Sequence, residues 1–220
     1  MTEKLSKSLQ HRVKNATVRM CGPTGEEGQG VYLGEEMILT AAHCLKSLNI
    51  WKPTIAPGEK YIESLKTHDG KKLEMMVRSA DVVKDVAVLI PWEEADDDAF
   101  GDFCDNTDPV PLCSDDFLKE YAGANTDDGG FREFRIHVFT HEDEFTTGKA
   151  SICSPCSDNI SSKVPIKGGT SGGPIVNDNG ELVGIVSQGK EDGYGLGSPQ
   201  PIPSLTLPVW AMKRLPDPED

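Results

Sequence analysis

Ser171 lies in a glycine-rich segment, residues 168–174, that suits an exposed nucleophile. A serine hydroxyl attacks a carbonyl carbon only when a base takes its proton and donors stabilise the developing oxyanion. Flanking glycines let the backbone turn tightly and expose its N–H groups, so those of Gly169 and Ser171 could converge on one oxygen. The alternative is an ordinary glycine-rich turn, because Gly-Ser runs are common in loops.

His43 and Asp85 supply the other residue types that a serine nucleophile needs. An apolar run and two alanines precede His43, which would seat a general base at the edge of a core. Asp85 opens the apolar run 85–90, where a carboxylate is costly unless an imidazolium pairs with it. Taken singly, the two residues could be a structural histidine and a surface aspartate. Asp81 is a rival acid, but no apolar run follows it.

Short apolar runs bounded by Gly, Asp and Lys predict strands along both halves of the chain. They occur at 17–21, 30–33, 37–40, 73–77, 85–90, 134–140, 149–153, 174–177 and 182–187. Many short strands in two halves are typical of two packed β-barrels. The acidic stretch 93–130 is interpreted as the connection between the halves and as a solvated surface loop.

Three segments of this chain closely resemble the signature blocks of the trypsin/chymotrypsin family: residues 39–44, 85–89 and 171–174. They occur in the family's order, His then Asp then Ser, and the resemblance extends over roughly residues 16–215. It implies an all-β fold of two packed six-stranded antiparallel barrels with a short C-terminal helix. The expected divisions are an N-terminal extension 1–15, a first barrel with the acidic loop 16–114, a linker 115–130, a second barrel 131–208, and a closing helix with its tail 209–220.

The resemblance also implies a serine endopeptidase with His43, Asp85 and Ser171 as its catalytic triad. His43 would act as the base, Asp85 would fix its tautomer, and the N–H groups of Gly169 and Ser171 would form the oxyanion hole. An acyl-enzyme intermediate and no metal or organic cofactor are expected. The alternative is a catalytically silent peptide-binding or scaffolding module on the same fold, whose signature would be a degraded triad.

Thr170 marks a departure from the digestive members of the family. These carry an aspartate directly before the nucleophile, and it pairs with a new N-terminal amine after zymogen cleavage. Thr170 is neutral, so we expect that no N-terminal insertion activates this chain. In this respect, and in residues 28–31, it looks more like the high-temperature-requirement and viral chymotrypsin-like proteases.

The expected substrate-binding residues follow from the same resemblance: Pro165, Ile166, Ser187, Gln188 and Gly189. Pro165 stands six residues before Ser171, where an aspartate would select Arg or Lys. We therefore expect no strong demand for a basic residue before the cut and a preference for an apolar or small one.

Six cysteines leave several states open: Cys21, Cys44, Cys104, Cys113, Cys153 and Cys156. The resemblance implies a bridge between Cys44 and Cys21, whereas a reducing compartment would keep both as buried thiols. The last four could form a zinc site, with His137 and His141 as spare ligands. Free or disulfide-bonded cysteines are favoured over zinc, because only one pair has the close spacing of a metal site.

The formal net charge is −14, which argues against binding to a nucleic acid backbone. The first 14 residues are charged throughout, and no run is apolar and long enough for a signal peptide or a membrane span. We expect a cytoplasmic monomer, or a secreted one if a leader precedes Met1. We expect a protein or peptide substrate as its partner, a regulatory protein as a further candidate partner, and no membrane.

Overall fold

The computed structural model describes most of the chain, and the part it describes is dominated by β-strands. The described residues are 4–22, 25–45, 60–81, 85–92, 98–121, 132–154, 157–162, 164, 166, 168–187 and 202–205. Twelve strands within them form two closed barrels of six antiparallel strands each. The fold class predicted from the sequence is thereby confirmed.

The first barrel contains the strands β1–β6, in the order β1-β2-β3-β6-β5-β4 around the barrel. Their bounds are Thr17–Gly22, Gly25–Gly34, Met37–Thr40, Ile62–Lys66, Lys72–Asp81 and Val86–Pro91. Strand β5 shows why such sequences form a barrel wall: Leu73, Met75 and Val77 are buried, while the residues between them are not. This two-residue period places one face of the strand in the core.

The second barrel contains the strands β7–β12, in the order β10-β11-β12-β9-β8-β7. Their bounds are Glu133–Phe139, Phe145–Ser154, Ser157–Ser162, Pro174–Val176, Leu182–Val186 and Ile202–Leu205. Residues 177–180 form the turn that closes the β10–β11 hairpin, where Gly180 has φ of 74° and the Asn177 side chain accepts from two backbone N–H groups. Glycine adopts this left-handed conformation without steric cost.

A single apolar cluster joins the two barrels. Phe139, Val176, Leu182 and Ile185 of the second barrel are buried in the same cluster as the core of the first. Hydrogen bonds also link residue 182 to the connecting chain, because Leu182 N–H donates to Pro111 O and Cys113 N–H donates to Leu182 O. The seam between the barrels is therefore a packed interior, which can hold groups from both barrels in fixed relative positions.

Three α-helices lie outside the barrels within the described part of the chain: α1 at Lys7–Asn15, α2 at Ala99–Asp105 and α3 at Asp115–Tyr121. Helix α1 belongs to the charged N-terminal extension, yet Val13 on one of its faces is buried, as is Leu5 just before the helix. Leu9 on the same face packs against the turn at Gly180. The four-residue spacing of these apolar side chains gives the helix its buried stripe.

The prediction of a solvated surface loop over 93–130 is wrong for helices α2 and α3. Phe100 and Phe103 of α2 are buried against Tyr32, with ring centroids 6.3 and 5.4 Å from that ring. The acidic residues of the stretch hid these aromatic anchors, because net charge reports only the solvated side of an amphipathic helix.

Every strand predicted from an apolar run is present, with ends shifted by up to five residues, and three further strands were missed. These are β4, β9 and β12, whose sequences are charged, polar or proline-containing. The run that begins at Asp85 is corrected, since β6 starts at Val86 and Asp85 precedes it in a left-handed conformation. The predicted closing helix lies outside the described residues, and the finer domain bounds stay a prediction. No helix in the described ranges could cross a bilayer.

Candidate active site

His43 and Asp85 meet at the end of paired strands β3 and β6. His43 sits in a single 3₁₀ turn, Ala42–Cys44, directly after β3, and the β3–β6 register pairs Thr40 with Ala87. The Asp85 Oδ2 atom lies 2.7 Å from His43 Nδ1, and Oδ1 accepts the His43 backbone N–H at 2.9 Å. Because a carboxylate only accepts, Nδ1 must carry the proton, which leaves Nε2 of the neutral ring as a proton acceptor.

Ser187, at the end of β11, is the third donor to Asp85. Its hydroxyl donates to Oδ2 at 2.6 Å, so one carboxylate receives donors from both barrels. Asp85 holds this position with φ of 55°, a conformation that aspartate tolerates better than most residues. The sequence had suggested Ser187 only as a substrate-binding residue; its contact with Asp85 is an addition that required the fold.

The hydrogen bonds shift the pKa of both members of the pair. The bond to Asp85, followed by one to Cys44, raises the pKa of His43 above its ordinary value despite partial burial. Burial alone would raise the pKa of Asp85, but the hydrogen bonds from His43 and Ser187 outweigh it and hold that pKa below the usual range. The pair thus favours a carboxylate beside an imidazole that binds a proton readily.

Replacing Ser187 by alanine tests this third donor. We expect Ser187→Ala to lower kcat/KM on a peptide substrate by about five- to tenfold, since one hydrogen bond to a charged acceptor is lost. The matched control is Ser79→Ala on β5, which should leave kcat/KM unchanged. Equal activity of Ser187→Ala and wild type would show that the contact has no functional weight.

Ser171 is held against the first barrel by its own backbone. The Gln29 N–H donates to Ser171 O at 2.7 Å. A Cβ built on Gly28 would lie 3.0 Å from that same oxygen and 2.5 Å from Cys44 Sγ, next to His43. Gly28 therefore lies between the His43 turn and the Ser171 turn, and only a residue without a side chain allows both to approach.

The segment 168–173, here called the oxyanion loop, is closed by hydrogen bonds on the side of the second barrel. Gly172 N–H donates to Val186 O at 2.6 Å, and Gly173 N–H donates to Thr170 O at 2.9 Å. Gly169 has φ of 83°. Among the described residues, the N–H groups of Gly169 and Ser171 donate to no acceptor, so both are available to an incoming oxyanion.

The expected substrate-binding residues are only partly visible. Ile166 is 4% exposed and belongs to the core of the second barrel, so its side chain offers little surface to a substrate. Pro165, Gln188 and Gly189 lie outside the described residues. The composition of the specificity pocket stays a prediction.

No disulfide is formed by the cysteines whose side chains are described: Cys21, Cys44, Cys104 and Cys113. The bridge between Cys21 and Cys44 is not formed; the Cys44 side chain packs on Gly28 and Cys21 Sγ lies 3.9 Å from Arg19 O. The described side chains contain no group of three metal-binding residues. The Cys153 side chain and Cys156 lie outside this set, so the zinc alternative stays untested.

Three residues near the oxyanion loop were missed as functional candidates or given another role. Gln29 is fully buried beneath Ser171, Arg19 reaches the second barrel, and His141 packs against Gly169. A buried glutamine inside a strand is unusual enough to be a signal, but its partners could not be found before the barrels were placed together.

Comparisons with known proteins agree with this architecture. The family model described as a trypsin-like peptidase domain matches residues 28–185. Among solved structures, an inactive form of Rv3671c from M. tuberculosis H37Rv, a serine-to-alanine mutant, is similar with a TM-score of 0.56 and 16% identity, covering 98% of this chain and 96% of that one. No curated protein matches significantly. The matched domain spans well over half of the sequence and contains His43, Asp85 and Ser171, and the chain belongs to the trypsin-like peptidase family.

Proposed function

We propose that this chain is a serine endopeptidase that uses His43, Asp85 and Ser171 through an acyl-enzyme intermediate. The observation that carries the proposal is the hydrogen bond between His43 Nδ1 and the Asp85 carboxylate at 2.7 Å. The turn that contains His43 approaches Gly28 through Cys44, and the backbone of Ser171 approaches the same glycine. In support of the proposal, His43 has a defined tautomer that leaves Nε2 able to accept a proton, and the N–H groups of Gly169 and Ser171 are available as donors. Membership of a peptidase family supports a peptide substrate.

The chemistry follows from the roles of these groups. His43 Nε2 accepts the Ser171 hydroxyl proton as Oγ attacks the scissile carbonyl carbon, and the oxyanion forms between the N–H groups of Gly169 and Ser171. Asp85 stabilises the imidazolium formed in that step. His43 then gives the proton to the leaving amine, the peptide bond breaks, and a water activated by the same histidine hydrolyses the ester.

The environment of Thr170 supports activity of the uncut chain. Thr170 is fully buried, and its hydroxyl accepts the His141 N–H at 3.3 Å. A newly exposed N-terminal ammonium would find no carboxylate at this position. We therefore include in the proposal that no zymogen cleavage is needed, and that the residue before the cut is apolar or small rather than Arg or Lys.

Labelling with a fluorophosphonate tests the nucleophile directly. The uncut wild-type chain should react at one serine, and Ser171→Ala should abolish labelling and lower peptide hydrolysis by roughly a million-fold, as for loss of a triad nucleophile. Ser79→Ala is the matched control and should label like wild type. A folded wild-type chain that neither labels nor hydrolyses peptides would contradict the proposal and favour the peptide-binding module.

A further inference from the structure

We propose that Arg19 and Asp143 are positioning residues that hold the oxyanion loop in its working shape from the opposite barrel. The inference rests on the proposed peptidase function. Arg19 lies on β1 of the first barrel, and Asp143 lies in residues 140–144, the turn that joins β7 to β8 of the second. This segment is called the β7–β8 turn below.

The contact between the two side chains is direct and sheltered on one side. Arg19 Nη2 donates to Asp143 Oδ1 at 2.7 Å, and the Arg19 side chain is only 12% exposed. His68 Nδ1, also from the first barrel, lies 3.9 Å from the same oxygen. Water screens ion pairs that are fully exposed and weakens them. A largely buried guanidinium instead needs its partner, because an unpaired buried charge is costly.

Gln29 extends the same link to a second point. With its amide oriented to satisfy both ends, Nε2 donates to Phe139 O at 3.1 Å and Oε1 accepts from Arg19 Nη1 at 3.2 Å. The two terminal nitrogens of Arg19 thus reach Asp143 directly and the end of β7 through Gln29. The Gln29 backbone N–H also donates to Ser171 O. One buried residue therefore contacts both the nucleophile segment and Arg19.

The β7–β8 turn passes this constraint to the oxyanion loop. Thr140 N–H donates to Glu144 O at 2.8 Å and Asp143 N–H donates to Thr140 O at 3.1 Å, so the turn is closed on itself. Its His141 N–H donates to Thr170 Oγ1 at 3.3 Å. A Cβ built on Gly169 would lie 3.3 Å from the His141 ring, so that ring backs the glycine whose N–H faces the oxyanion.

The neutral residue before Ser171 explains why the oxyanion loop needs the Arg19–Asp143 ion pair. The residue before the nucleophile, Thr170, is neutral and cannot anchor the loop by an ion pair of its own. The ionic anchor instead lies on the neighbouring turn and spans the seam between the barrels. Losing it should free the oxyanion loop without disturbing the His43–Asp85 pair, which lies on other elements.

The test uses variants that remove charge and keep shape: Arg19→Met keeps the aliphatic stem, and Asp143→Asn keeps a residue that tolerates its φ of 62°. We expect kcat to fall by about tenfold with KM nearly unchanged, as for a contribution made in the transition state. The double variant should be no worse than Arg19→Met alone, because Arg19→Met already removes the contact that Asp143→Asn weakens. The control is Arg132→Ala, which breaks the half-exposed Arg132–Glu120 pair and should change neither constant.

Hydrogen–deuterium exchange of the full chain gives a readout that needs no turnover. Amides of residues 168–173 should exchange faster in both Arg19→Met and Asp143→Asn, while those of β3 and β6 keep wild-type rates. Unchanged exchange in 168–173, or acceleration spread evenly over both barrels, would overturn the proposal. If the wild type lacks peptidase activity, exchange alone still decides the inference, and the failure of the proposed function is seen separately.

Discussion

Asp85→Asn is expected to lower kcat/KM about ten-thousand-fold while the chain stays folded, because the proposed mechanism requires a carboxylate at this position. Three donors converge on Asp85: the His43 backbone N–H, the His43 ring and the Ser187 hydroxyl. An amide has one accepting oxygen, so its NH₂ must face at least one of these donors. No rotation of the asparagine satisfies all three.

Each orientation of that asparagine fails for a different reason. If NH₂ replaces Oδ2, it donates to His43 Nδ1 and moves the ring proton to Nε2, which can then no longer accept from Ser171. If NH₂ replaces Oδ1, it opposes the His43 backbone N–H and displaces the turn that carries the base. Asp81→Asn at the end of β5 is the matched control, and we expect it to retain wild-type kcat/KM.

The pH profile of the same pair of proteins gives the sign of the effect. His43 acts as a base only when neutral, so kcat/KM rises with pH as His43 loses its proton. Since Asp85 raises the pKa of His43, the half-rise of wild type should lie above the ordinary imidazole value of about 6.5, and in Asp85→Asn it should move to lower pH. A half-rise that does not move between the two proteins would mean that Asp85 does not set this pKa.

The residues of the candidate site could be predicted because each carries a local signal. Ser171 is flanked by glycines, His43 follows an apolar strand, and Asp85 precedes one. These signals lie within a few residues of each chemical group, so one sequence is enough to read them. Their order then matched one family.

The supporting contacts could not be predicted, because they join residues far apart in the chain. Ser187 lies 102 residues from Asp85, and Arg19 lies 124 residues from Asp143. Such pairs depend on how the two barrels pack, and neither strand period nor composition encodes that packing. The buried Gln29 is the one local hint, since a fully buried amide must have partners.

The elements that were missed also have physical reasons. Helix α1 places Leu9 and Val13 on one face, and Leu5 lies two residues before the helix, but lysines and other polar residues between them conceal this apolar stripe. Strand β9 is mostly polar, and β12 includes a proline. Both strands pair with their neighbours through backbone hydrogen bonds. Closure of the barrel stabilises them as strands although their side chains have low strand propensity.

Outside His43, Asp85 and Ser171, we expect Gly172→Ala to cause the largest loss of activity and stability. Gly172 has φ of 77°, and a Cβ there would lie 2.0 Å from Gln29 O and 2.5 Å from Thr40 Oγ1. Neither atom can retreat easily, since the Thr40 hydroxyl donates to Gln29 O at 2.6 Å in the buried seam. The oxyanion loop must therefore lift off the first barrel, carrying Ser171 with it.

Gly172→Ala combines the strain of a left-handed alanine with steric overlap, and the same substitution at Gly70 separates the two effects. We expect a loss of about 3 kcal/mol in the free energy of unfolding, from left-handed strain plus overlap, and a kcat/KM at least a thousandfold lower because Ser171 leaves its position. Gly70→Ala shares the left-handed backbone, with φ of 92°, but its Cβ would meet nothing closer than Lys66 Cε at 3.7 Å. That control should lose only about 1 kcal/mol, measured by urea unfolding, and retain full activity. If Gly172→Ala behaves like Gly70→Ala in both measurements, the close seating of the oxyanion loop on Gln29 and Thr40 is not what places the nucleophile.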